Sequence, residues 1–192
     1  MQQAGGVAAE DLLLRGGVEV RRPLHAACLE RPSERRQMVN VHVGVDNHGA
    51  IMTHIDLALQ ELLATTGASR VTLRQEVPGD YAFPVTHEAH VPGAPSLREE
   101  RTVDLKAQPV VLELQKGHQV VQDDCRAAFD DPAFHRMLET YGGLAAQIVT
   151  PIFKAGRLVA IVSLHQLGAP RHWTEEEAAA AAQTADSVAG LL

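Results

Sequence analysis

The run GRLVAIVSLHQLG (156–168) ends a long apolar stretch in an imidazole, His165, a group that titrates near neutral pH. At the period of a strand, His165 shares a face with Val159, Ile161 and Ser163, while Leu158, Ala160, Val162 and Leu164 face the other way. Both faces are largely apolar, which predicts a central strand covered on each side. A buried histidine must find hydrogen-bond partners. It is either a core residue bonded to a backbone carbonyl or a ligand contact and proton shuttle at the edge of a pocket. Ten histidines are scattered along the chain, at 25, 42, 48, 54, 87, 90, 118, 135, 165 and 172. In THEAH (86–90), His87 and His90 project to opposite faces of a strand, and His48 and His54 lie about 240° apart around a helix. No pair has zinc spacing, so a metal site would have to be assembled from distant segments, such as His90, Asp124 and His135. Cys125 sits between Asp124 and Arg126, and the neighbouring carboxylates oppose a reactive thiolate. Tyr141, Gln147, Arg74 and Phe83 add polar and aromatic groups of the kind that line pockets; each also has a purely structural use.

The elements that must position these groups follow from periodicity and punctuation. Asp46 or Asn47 is expected to cap a helix in which Ile51, Ile55, Leu59 and Leu62 recur at helical spacing, and Gly67 ends it. SRVTLRQ (69–75) alternates Val71 and Leu73 against Arg70, Thr72 and Arg74, the pattern of a half-exposed strand. PGD (78–80) reads as a turn, and YAFPVTHEAH (81–90) as a second strand weakened by Pro84. A short helix is expected over 108–117, a strand over HQVVQDD, and a helix over 131–143 with Pro132 in its first turn. Residues 145–166 form a hairpin turning at Ala155-Gly156, with an irregularity suggested by Pro151. The closing helix opens on Thr174 and Glu177, a capping-box pair, and carries a stripe of Ala178, Ala181, Ala185, Val188 and Leu192. That narrow face fits close packing against the helix at 47–66, or a four-helix seam between two copies.

The chain has 192 residues, of which 45 % are hydrophobic, enough for one core. Its breaker-rich first 45 residues read as an N-terminal arm, with AAEDLLL as a short helix, and 46–192 as the domain. A formal net charge of −7 and no basic stripe argue against nucleic acid as a partner. Two cysteines without a CxxC motif fit a reducing compartment, and neither a signal peptide nor a membrane-length apolar run is found. A cytoplasmic protein with no membrane partner is therefore expected. Glycine-rich phosphate loops are absent.

A helix, an antiparallel sheet interrupted by helices, and a closing helix is the order found in GAF domains. ATTGASRVTLR (64–74) resembles the exit of the first GAF helix into the first strand. YGGLAAQIVTPIFKAGRLVAIVSLHQLGAPRHWTEEE (141–177) is similar to the last hairpin and helix cap of phytochrome and cyanobacteriochrome GAF domains. The resemblance implies an α+β, PAS-related fold: a central antiparallel sheet of five to six strands flanked by helices, with the N- and C-terminal helices on one face. It also implies that His135 and His165 flank a ligand and that Asp124 stands at the pocket's edge. The pocket would lie between the sheet and segment 118–141. The cysteine that carries a covalent bilin in that family corresponds to Phe134, which cannot form a thioether, so covalent bilin is not expected. Cys28 in the arm is the remaining thiol outside the domain. The N-K-F-D-E signature of cyclic-nucleotide-binding relatives is missing. The cysteine pair of the methionine sulfoxide reductase relatives is missing too, because Cys125 stands alone in the domain. The cofactor is thus left unknown. The expected protein is a stand-alone GAF-fold module, with no kinase, cyclase or DNA-binding unit beside it. It would bind a small aromatic or heterocyclic metabolite non-covalently as a sensor, and would form a homodimer through its terminal helices. A small GAF-fold enzyme, with or without a metal, acting on a ring compound or carboxylic acid is the alternative; a ligand-free structural dimer is the third.

Overall fold

The structure is a computed structural model that describes residues 18–21, 53–77 and 83–192. Six strands form one antiparallel sheet in the order β1-β4-β5-β6-β2-β3: β1 Val18–Arg21, β2 Arg70–Gln75, β3 Val85–His90, β4 Gln119–Gln122, β5 Leu144–Lys154 and β6 Arg157–Leu167. Helices α1 (His54–Thr66) and α5 (Glu175–Ala189) cover one face. A 3-10 turn at Leu105–Ala107, α2 (Pro109–Gln115), the single turn α3 (Cys125–Ala128) and α4 (Pro132–Thr140) lie with the other.

Helix α1 begins later than its periodicity suggests. Thr53 caps it: its hydroxyl accepts from the Asp56 amide while Asp56 accepts from the Thr53 amide, so two orphan donors are satisfied reciprocally. Asp46 and Asn47 lie outside the described residues, as do the expected helix at 8–14 and the turn at 78–80. Gly67 ends the helix at φ +60°, a conformation that favours glycine. Thr174 and Glu177 form the expected capping box on α5.

The β5–β6 hairpin turns at Ala155-Gly156, and its register shifts at Ile152/Phe153, one residue beyond Pro151. Strand β2 differs from expectation. It is buried on both faces, because β6 pairs along one side, β3 along the other, and a helical layer covers each surface. Arg70, Thr72 and Arg74 therefore face protein, not solvent. Within the stretch read as an N-terminal arm, Val18–Arg21 add the outer strand, antiparallel to β4.

On the α1/α5 side the core is aliphatic: Leu59 and Leu62 meet Val71, Leu73, Ile148, Val162 and Leu164, and Ala178, Ala181, Ala185 and Val188 supply the small stripe of α5. Trp173 anchors the entry to α5. Its ring nitrogen donates to the Gln122 carbonyl (3.2 Å), its amide donates to Asp123 (3.0 Å), and Arg171 stacks over its ring at 4.3 Å. Between the outer surfaces of the two helices lies an open groove of about 290 Å³, bordered by Ala58, Leu62, Thr65, Ala180, Gln183 and Ser187.

Ala181 is fully buried, and a larger side chain there must force the helices apart. Ala181→Leu is expected to cost about 1–3 kcal/mol in urea unfolding, whereas Leu at the exposed Ala179 leaves the midpoint nearly unchanged.

Candidate ligand-binding face of the sheet

Directly opposed residues in neighbouring strands share a face, so strand register places side chains in rows. One row runs Gln122–Gln147–His165–Arg70–His90 across β4, β5, β6, β2 and β3. The next runs Val120–Val149–Ser163–Thr72–Glu88. These rows lie opposite the α1/α5 layer. Within them Arg70, Thr72, Gln122, Gln147, Ser163 and His165 are all buried. One surface of the sheet is oily and the other is polar.

Arg70 organises the polar surface. Its Nε–H donates to His165 Nδ1 (3.1 Å), Nη2 donates to the Tyr141 carbonyl (3.0 Å), and Nη1 donates to the Pro95 carbonyl. A guanidinium cannot accept a hydrogen bond, so His165 Nδ1 is the acceptor and the imidazole hydrogen sits on Nε2. Nε2 meets no hydrogen-bond partner among the described residues. Burial, reinforced by Arg70 and then Arg74, holds the His165 pKa well below its ordinary value. Burial also lowers Arg70 to about 10, against the opposing pull of Glu88. The Glu88 carboxylate does not bond to Arg70; it accepts from Ser96 and the Leu97 amide.

Tyr141 is held at both ends. Arg70 takes its carbonyl, Arg74 Nη2 donates to its hydroxyl (3.0 Å), and the Arg74 guanidinium stands 5.2 Å from its ring centre. Its ring centre is 6.1 Å from that of His165. Burial pushes the phenol up to about 12, with Arg74 opposing. Gly142 and Gly143 follow at φ +82° and +75°, and a Cβ on Gly142 would meet Pro95 Cγ at 2.5 Å. Only glycine fits between this turn and the loop that supplies Arg70 with an acceptor. Thr72 Oγ1 and Gln122 Nε2 are buried with no hydrogen-bond partner.

The remaining candidates are distributed around this face. Gln147 Nε2 donates to Gln122 Oε1. Phe83, at φ +49°, gives its carbonyl to Arg74 Nη1 (2.9 Å) and packs in the core beneath α2 and α4. Asp124 caps α3, accepting from the Arg126 and Ala127 amides at 3.0 and 3.1 Å. His135, half-buried on α4, bonds through Nε2 to the Arg126 carbonyl (3.1 Å). His90 stands exposed on β3 with Nδ1 at the Val91 carbonyl. The sheet thus brings His165, Tyr141 and Gln147 together and separates the three residues considered for a metal. His90 lies on β3 and Asp124 follows β4, four strand spacings or about 19 Å apart. Among the described residues no group of three His, Cys, Asp or Glu side chains is placed to hold a metal ion.

Phe134 is fully buried and packs edge-on against Phe129, with ring centres 5.1 Å apart. Cys125 is buried, and burial with Asp124 beside it raises its thiol far above the ordinary range. That environment disfavours the thiolate a nucleophile needs. Arg70, Thr72 and Gln122 are the residues that sequence reasoning missed. The available signal was the pairing of a two-faced apolar strand with 69–75, which buries the polar side of β2 as well.

The GAF domain family model matches residues 53–192. The chain belongs to the GAF family. Its fold is similar to that of the cyanobacteriochrome TePixJ GAF domain, at 18 % identity and a TM-score of 0.61, over 71 % of this chain and 85 % of that one. It is also similar to the chromophore-binding domain of the bacteriophytochrome RpBphP3 from R. palustris (17 %, TM-score 0.58, 71 % of this chain and 52 % of that one). A third similar structure is the far-red absorbing dark state of JSC1_58120g3 with bound biliverdin IXa (23 %, TM-score 0.56, 69 % and 83 %). No curated protein sequence matches the chain.

The depressed His165 pKa fixes a pH dependence. The unfolded chain takes up a proton on this residue as pH falls below about 6.5, while the folded GAF domain does not. The contribution is present above that pH and is lost as pH falls. Urea unfolding between about pH 7 and 5 should show stability declining by up to ~1.4 kcal/mol per pH unit from this group, and His165→Gln should flatten that slope.

Proposed function

We propose that this GAF domain binds a small aromatic or heterocyclic ligand non-covalently on the polar face of its sheet and acts as a ligand sensor. The observation that carries the reading is His165: a buried imidazole whose Nε2–H has no partner among the described residues, beside Arg70 and within ring-contact range of Tyr141. An N–H with no protein partner is available to an acceptor on a ligand. On the same side of the sheet pack apolar residues of the kind that suit a flat ring, Val149 and Ile161 on the strands and Phe83, Phe134 and Met137 in the covering layer. Biliverdin in the similar structure is a ligand of this general kind. In this chain Phe134 stands where the family's attachment cysteine would, which favours reversible binding.

His135 and Asp124 would act at the margin of the site through α3 and α4, and Gln147 would orient Gln122. The small-residue stripe of α5 is spent within the chain's own core, so a homodimer through the terminal helices would use their outer surfaces and the groove bordered by Ala58, Thr65, Ala180 and Ser187. No helix among the described residues is long and apolar enough to cross a membrane. Together with the unpaired Cys125, this supports a cytoplasmic setting.

Native mass spectrometry of the freshly purified protein tests the reading. The expected result is a co-purified small molecule, released on denaturation, that raises the melting temperature when added back and does so less for His165→Leu. A protein that carries no adduct, and whose His165 ring signals no small-molecule extract perturbs, would overturn it.

A further inference from the structure

Arg70 is fully buried, and every acceptor it reaches is neutral: an imidazole nitrogen and two backbone carbonyls. A guanidinium has five N–H donors, so two remain unspent. The nearest carboxylate influence, Glu88, is engaged by Ser96 and the Leu97 amide. His165, beside it in the row, offers a further unspent N–H, and Gln122, two strands on, has an amide nitrogen without a partner. Thr72 Oγ1, one row away, is likewise unpartnered. On the sheet itself the unpartnered atoms are Gln122 Nε2, a donor, and Thr72 Oγ1, which can donate; the unpartnered acceptors, Glu100 Oε2 and Gln108 Oε1, belong to the covering layer.

We infer that the ligand is an organic anion, a ring compound bearing a carboxylate, whose carboxylate is received by Arg70 and the Nε2–H of His165. This rests on the reading that the polar face is the ligand site. It goes further by fixing the ligand's charge. A carboxylate has only acceptor oxygens and can take two parallel N–H bonds from one guanidinium, which is the geometry a planar cation with spare donors recognises. A neutral amide of the same shape brings N–H groups of its own, which would face donors. Tyr141 is the element that must yield, since its carbonyl holds one Arg70 nitrogen; the left-handed pair Gly142-Gly143 that follows it supplies the backbone freedom.

The test uses matched acids and amides: benzoate, indole-3-carboxylate and quinoline-2-carboxylate, each against its carboxamide, at millimolar concentration with the full chain. NMR follows the Arg70 Nε–H and His165 ring signals of the unaltered protein, and melting temperature follows binding. At least one acid should shift both signals and bind about 10- to 100-fold more tightly than its amide, with that preference lost in Arg70→Gln. Should Arg70→Gln fail to fold, the signals of the unaltered protein still decide. Amides that move the His165 signal as strongly as acids would overturn the charge assignment while leaving the face as the ligand site. Acids that move neither signal would overturn the assignment outright, and the adduct found by native mass spectrometry would judge the face separately.

Discussion

The fold depends on how one buried cation is satisfied. Arg70 sits at the start of β2 with no exposed surface, and a charge in that position is tolerated only if its hydrogen bonds are largely made. It makes them to three separate parts of the chain: His165 on β6, Pro95 in the loop after β3, and Tyr141 at the end of α4. The same contacts tie the covering layer down onto the sheet. They also keep the His165 imidazole neutral and its free N–H defined. Charge, register and ligand chemistry are therefore one arrangement seen from three sides.

The sheet divides two unlike interiors. Toward α1 and α5 the strands offer Val71, Leu73, Ile148, Val162 and Leu164, which pack by shape and need no partners. Toward the smaller helices they offer Arg70, Thr72, Gln122, Gln147, Ser163 and His165, which need partners and do not all have them. An interior optimised for stability alone would resemble the first surface, because unpartnered buried polar groups lower stability.

Much of the architecture was legible in local pattern. The β5–β6 hairpin, the Thr174–Glu177 box, the small stripe of α5 and the division of residues 160–165 between two faces follow from short-range periodicity; Val159 and Leu158 exchange the faces expected of them, because the register shifts at Ile152/Phe153. Strand β2 was misread for an instructive reason. An arginine, a threonine and an arginine at alternate positions look like a solvent face, and nothing within SRVTLRQ says otherwise. Burial there is a property of pairing: β2 lies between β3 and β6, a fact carried by residues 85–90 and 157–167. Likewise the start of α1 shifted to Thr53 because a reciprocal side-chain cap outweighs the reach of the apolar repeat. The buried histidine was visible in the sequence; the arginine that gives it its tautomer was not.

Strand β6 is a wall shared by both interiors. His165 projects into the polar one and its neighbour Leu164 into the aliphatic one, where it packs in the same cluster as α1 and α5. The strand is paired on both sides, with β2 from Arg70 to Gln75 and with β5 along a ladder that shifts register at Leu144/Ala146 and at Ile152/Phe153. The two interiors are thus joined, at this point of β6, by a single peptide unit.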